Sequence, residues 1–118
     1  MLSTNRVFLF TLLFGAGLAE AKTINTFFGK EDQLPTILAG DMNAEPDSEP
    51  IQELLKVWTN VTDEPPSATA PSTNPTSRID YVFCRPAGRF RVSHAAVVAE
   101  SVASDHCPVL AVLELPVR

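Results

Sequence analysis

Pro35-Thr36-Ile37-Leu38-Ala39-Gly40-Asp41-Met42-Asn43 decides the architecture: a short apolar run that ends on a glycine, an acid and an amide. Bounded by Pro35 and Gly40, the run is too short for a stable helix and reads as a buried strand. Asp41 and Asn43 then fall at its carboxyl end, where an open α/β sheet usually places ligands. Residues two apart in an extended segment point the same way, so Asp41 and Asn43 are expected on one side of the strand. A carboxylate and a carboxamide so placed can bind a water and a phosphate oxygen together.

Downstream, Glu45-Pro46-Asp47 turns the chain, and Ser48 is a good N-cap with Glu49 and Pro50 in the first turn. Ile51, Leu54, Leu55 and Trp58 follow at i, i+3, i+4 and i+7, predicting a helix with one core-facing stripe. From Asp63 to Ser77 the periodicity disappears. Pro65, Pro66, Pro71 and Pro75 exclude helix and central strand there. The segment reads as a loop, either facing substrate or running over the surface. Ile79 to Cys84 reads as a strand, Pro86-Ala87-Gly88 as a turn, Phe90 to Val98 as a partner strand, and Val109 to Leu115 as a last, buried strand. Upstream, Ile24, Phe27 and Phe28 share a helical face that Gly29 closes. The order of helix, strand, helix and several strands predicts an α/β fold: a mixed sheet with flanking helices.

The amino terminus allows two readings. Arg6 precedes an uncharged Phe- and Leu-rich run from Val7 to Ala19, and Ala19-Glu20-Ala21 has small residues at both expected positions. This is the layout of a secretory signal peptide. It predicts a leader over 1–21, a domain over 22–118, and a secreted or periplasmic protein in which Asn60-Val61-Thr62 is a glycosylation acceptor on a eukaryotic route. The alternative is a core helix of a cytoplasmic protein, because Ala21 to Phe28 also reads as the end of a helix. The run is too short to predict a membrane span.

Bulk properties set further bounds. The chain of 118 residues holds one domain at most, and 45% apolar residues argue for a folded one. A formal net charge of −5 removes the positive field that usually draws in nucleic acid. Cys84 and Cys107 fit one bridge or two free thiols, with no zinc-type spacing.

Two further words resemble the first in form. Ser77-Arg78-Ile79-Asp80-Tyr81 and Ser104-Asp105-His106-Cys107-Pro108 each place acids or an imidazole beside an apolar, strand-like run. Hydrolysis of a phosphate ester needs an activated water, charge stabilisation on the phosphoryl oxygens and help for the departing oxygen. His106 is the best candidate for proton or phosphate chemistry, since imidazole titrates nearest neutral pH. Arg78 is a weaker candidate, to brace a loop or meet an anion. His94, mid-strand and without a motif, reads as structural.

In this order the three words resemble the second half of the endonuclease/exonuclease/phosphatase superfamily, whose members act on DNA, RNA, phosphoinositides and sphingolipids. The resemblance runs from Ala21 to Leu115. It implies the C-terminal half of a four-layer α/β/β/α sandwich and a metal-dependent phosphoesterase of nuclease or phosphatase type. It assigns Asp80 to orient His106, Asp41 to activate water or protonate the leaving group, Asn43 to contact the phosphate, and Asp105 to the neighbourhood of the metal. Mg²⁺ or Mn²⁺ is the implied cofactor. The implied substrate is a phosphate ester of a nucleic acid, phospholipid headgroup or sugar. In the superfamily an Asn, the principal metal-ligating Glu and a His lie on the first half, and none has a counterpart here. The expectation is therefore a partial domain, completed by a missing first-half chain. The alternative is a non-catalytic remnant or interaction module that keeps the words alone.

Overall fold

A computed structural model describes residues 8–12, 17–30 and 34–117 of the chain. Four strands form the main sheet: β1 (Phe8–Leu12), β2 (Thr36–Asp41), β3 (Thr59–Val61) and β4 (Asp80–Arg85), in the order β1-β2-β4-β3. β1 runs parallel to β2, whereas β4 is antiparallel to both β2 and β3, so the sheet is mixed as expected. Helices α1 (Leu18–Phe28) and α2 (Glu49–Leu54) flank it, and β5 (Arg91–Val97) with β6 (Val109–Glu114) makes a separate antiparallel pair. A single 3₁₀ turn at Ala87–Arg89 joins β4 to β5.

Alternation along β2 and β4 divides the sheet chemically. Leu38 pairs with Phe83 and Gly40 with Tyr81, and this face meets the helices. Ala21 and Ile24 of α1, Ile51 and Leu54 of α2, and Trp58, Met42, Leu38, Tyr81 and Phe83 form one buried cluster there. The other face carries Ile37, Ala39 and Asp41 of β2 beside Cys84, Val82 and Asp80 of β4. β6 approaches β4, bringing the second sheet against the first. The result is a partial α/β/β/α arrangement.

Both helices depart from the expected stripes. In α1 the buried residues are Ala21 and Ile24, while Phe27 is 65% exposed. Asn25 faces inward instead: its Nδ2 donates to the Glu53 carbonyl (2.8 Å) and its Oδ1 accepts from Trp58 Nε1 (3.0 Å), tying α1 to α2. α2 stops at Leu54, so Leu55 turns outward and Trp58 reaches the core from the segment beyond the helix. Ser48 occupies the N-cap position, yet its hydroxyl donates to the Glu45 carbonyl and leaves the first helical N–H groups uncapped. Arg85, the last residue of β4, lies over the Trp58 ring and donates to the carbonyls of Phe28 and Lys30, closing that end of the sheet.

β6 is not the buried strand its composition predicts. Its burial alternates, leaving Leu110 and Val112 each 44% exposed. His94 stands exposed on β5. Cys84 and Cys107 are both buried free thiols, and burial pushes the Cys84 thiol up. Of the leader-like run, residues 1–7 and 13–16 lie outside the described residues. Phe8–Leu12 within it pairs with β2, and α1 passes through the Ala21–Lys22 junction. Among the described residues no helix is long and apolar enough to cross a membrane.

Candidate active site

Asp41 closes β2 and Asp80 opens β4, and the antiparallel register sets the two directly opposite each other. Cross-strand partners share a face, so both carboxylates stand on the side of the sheet away from the helices. One further rung, from Met42 N–H to the Ile79 carbonyl (2.8 Å), holds the pair at the sheet's end. Gly40, inside β2, has φ 148°, a conformation few side chains adopt, and beyond the rung Asn43 is left-handed at φ 47°. The Asp41 carboxylate accepts the Asn43 N–H (2.7 Å), the side-chain-to-backbone turn that Asp favours.

Tyr81 pins this corner from the other face. Its buried hydroxyl lies within donating distance of the Ala44 carbonyl (2.7 Å) and the Arg78 carbonyl (2.9 Å). Burial raises its pKa, so the phenol stays a donor.

His106 arrives from the segment between β5 and β6. Its Nδ1 lies 2.8 Å from Asp80 Oδ2 and 3.1 Å from Oδ1. An ionised carboxylate can only accept, so Nδ1 carries the proton in this contact. Partial burial disfavours the charged imidazole. The hydrogen bond to Asp80, with the charges of Asp80, Asp41 and Asp105, outweighs it and raises the His106 pKa above its ordinary value.

Ligating atoms of Asp41, Asp80 and His106 lie within 4.8 Å of one another, a cluster able to hold a metal ion. They line a cavity of about 310 Å³ together with Ala39, Tyr81, Cys107 and Pro108. Two of the five site residues expected from sequence stand apart from that lining. Asn43 is exposed, because the strand ends at Asp41 and the two-residue alternation no longer applies to it. Asp105 is also exposed; its backbone carbonyl accepts from Ser72 N–H (2.7 Å), and its charge reaches His106 without joining the cluster.

Arg78 braces a loop. Its guanidinium is buried, donates to Asp63 (3.1 Å) and the Ser67 carbonyl (2.9 Å), and lies 5.8 Å from the Tyr81 ring centroid. Asp63 is the other end of that brace. Its partial burial works against ionisation, but hydrogen bonds from the Ser67 hydroxyl and N–H and from Thr62 prevail and bring its carboxyl down to about 2. A carboxyl held below its ordinary 3.8 adds stability that is present above that value and lost as pH falls through the lowered one. The brace is therefore expected to open between about pH 4 and pH 2. Protection of the Ser67 N–H, which donates to Asp63 (3.2 Å), should fall across that window relative to its intrinsic exchange rate, and in Asp63→Asn this acid-dependent loss should be absent.

The family model described as the Endonuclease/Exonuclease/phosphatase family matches residues 14–106. No curated protein matches in sequence. Among solved structures, a functionally unknown conserved protein from Enterococcus faecalis is similar at 26% identity and a TM-score of 0.69, over 84% of this chain and 44% of that one. An endonuclease/exonuclease/phosphatase family protein from Bacteroides thetaiotaomicron is similar in fold at 22% identity and a TM-score of 0.73, over 92% of this chain and 50% of that one. A mannosyl-6-phosphatase from the same organism shares the fold at 24% identity and a TM-score of 0.60, over 83% of this chain and 43% of that one. The chain thus spans half or less of the length of these structures. With the family model covering most of the sequence, the first two words and the third as far as His106, the chain belongs to the endonuclease/exonuclease/phosphatase family.

Proposed function

We propose that this chain carries the catalytic half-site of a metal-dependent phosphoesterase. The observation that carries the reading is the convergence of Asp41, Asp80 and His106 from three separate words onto one cavity. A remnant keeping the words for packing alone has no need of two carboxylates side by side against an imidazole, because such a group of charges costs stability.

The donor set suits a hard divalent cation such as Mg²⁺ or Mn²⁺, which is commonly held by one or two carboxylates with substrate phosphate and water completing its shell. Asp41 and Asp80 would hold it, and bound there it would neutralise charge on the phosphoryl oxygens. The chain's own residues supply the rest. Asp80 fixes the His106 ring and favours its protonated form, a donor for a phosphoryl or leaving oxygen. Asp41, its carboxylate at the cavity edge, accepts a proton from an incoming water. A substrate-contacting role for the exposed Asn43 and Asp105 rests on their place in the three words, since neither lines the cavity.

Among the described residues no Lys or Arg lines the cavity, and the chain is acidic. That balance favours a small phosphate ester over a nucleic-acid polymer, whose backbone is normally met by basic side chains. Two carboxylates are also few for a hard cation, so the 118-residue chain alone is expected to turn over slowly. A further metal-ligating Glu supplied by the rest of the sandwich is expected to raise the rate.

Hydrolysis of a phosphomonoester model substrate, measured for this chain alone and joined to a complementing first half, tests the reading. Turnover should vanish with a chelator and return with Mg²⁺ or Mn²⁺. Activity indifferent to the chelator would overturn it.

A further inference from the structure

The segment from Asp63 to Ser77, featureless by periodicity, stitches the site together. Thr69 is its centre and is fully buried. Its Oγ1 accepts the backbone N–H of Ile79 (3.1 Å) and of Asp80 itself (3.3 Å). Its carbonyl accepts the N–H of Cys107 (2.7 Å), the residue after His106. Its own N–H donates to the Ser77 carbonyl (2.8 Å), the carbonyl its hydroxyl proton also faces at 3.4 Å. On one side Ala70 and Ser77 exchange backbone hydrogen bonds; on the other, Ser72 N–H reaches the Asp105 carbonyl.

These bonds matter because the two catalytic words differ in how they are held. Asp80 belongs to the sheet ladder, whereas His106 sits in an irregular stretch between β5 and β6. No ladder rung sets the distance between them. Among the described residues Thr69 is the one bonded to the backbone of both words, through its hydroxyl to Asp80 and through its carbonyl to Cys107.

We propose that Thr69 is a positioning residue for the Asp80–His106 pair, setting the separation of the two side chains through its hydroxyl on one backbone and its carbonyl on the other. The proposal rests on the catalytic reading of that pair for its functional consequence, and on the hydrogen bonds alone for its geometry. The 2.8 Å contact between His106 and Asp80 has little slack, since a shift of about 1 Å removes such a bond. Misplacement of that size in a catalytic group can cost ~10²-fold in rate.

Thr69→Val keeps the shape and removes the acceptor, while Thr69→Ser keeps the hydroxyl. The experiment follows the imidazole Nδ1 proton of His106 by NMR in the full chain. Held by a carboxylate, that proton resonates at low field and exchanges slowly with water. It should be sharp in the unaltered protein, lost in Thr69→Val and restored in Thr69→Ser, with the remaining amide spectrum still that of a folded chain. Where hydrolysis is measured, Thr69→Val should lower kcat by ~10²-fold with little change in KM, and should add little to Asp80→Asn.

A proton signal unchanged in Thr69→Val, or equally lost in Thr69→Ser, overturns the proposal. If Thr69→Val does not fold, Thr69→Cys replaces it, since a thiol of similar size is a weak acceptor. A weakened signal then supports the proposal and an unaltered one overturns it. A signal that obeys Thr69 in a protein with no hydrolytic activity would refute the catalytic reading alone. Activity and signal that both ignore Thr69 would refute the positioning alone.

Discussion

His106→Ala is expected to lower phosphate-ester turnover by ~10²–10⁴-fold, the range for losing a positioned general acid or base. His106 meets Asp80 at 2.8 Å and shares the cavity with Asp41, and no second imidazole lines that space to replace it. Asp80→Asn should produce a comparable loss, because the amide cannot favour the ring's charged form and leaves one carboxylate fewer for a cation. The double variant should be little worse than His106→Ala alone, since groups acting as a unit are not additive. Fold should survive both changes: the two side chains are 28% and 17% exposed, outside the buried cluster. Thermal denaturation beside the rate measurement separates the effects. Full turnover in His106→Ala would remove this histidine from the chemistry, whatever else the site does.

What the sequence showed of this site followed from local rules, and what it concealed followed from long-range ones. Asp41 and Asp80 were readable because one ends an apolar run and the other opens one, and their common face follows from the ladder they join. Asn43 lies outside the cavity lining: alternation stops where the strand stops at Asp41, and its own backbone is left-handed at φ 47°. β3 escaped notice because a strand of three residues has no periodicity; it pairs with the free edge of β4. β6 read as buried on composition, which counts apolar residues without asking whether two layers exist to cover them. Asn25 stood inside a helical stripe as a polar interruption, and its partners Glu53 and Trp58 lie a whole element away. Thr69, among prolines and small polar residues, looked like any loop threonine. Its significance lies in bonds to Asp80 and Cys107, which no local window contains.

Phe83→Ala is expected to be the most destabilising single truncation in the sheet, at ~3–5 kcal/mol. Phe83 is fully buried, stands across from Leu38 in the β2–β4 ladder, and stacks on Tyr81 with ring centroids 5.2 Å apart and planes 15° from parallel. Removing the ring forfeits its transfer free energy and leaves a cavity between sheet and helices that Leu38 and Trp58 can only partly fill. A domain of this size has ~5–15 kcal/mol in total and sits toward the lower end, so the loss takes a large share of it. Phe83→Leu keeps most of the volume and should cost less than ~1.5 kcal/mol. Urea unfolding measures both, and a loss below ~1 kcal/mol in Phe83→Ala would mean that this face is not the core. Phe83 and Asp80 lie three residues apart on one strand, and alternation sends them to opposite faces. Phe83→Ala should therefore lower the urea midpoint while the fraction still folded keeps its Asp80–His106 contact, and His106→Ala should do the reverse. A strand that separates stability from chemistry by the parity of its residues must give opposite results in those two variants; correlated losses in both would mean that the pair depends on the packing behind it.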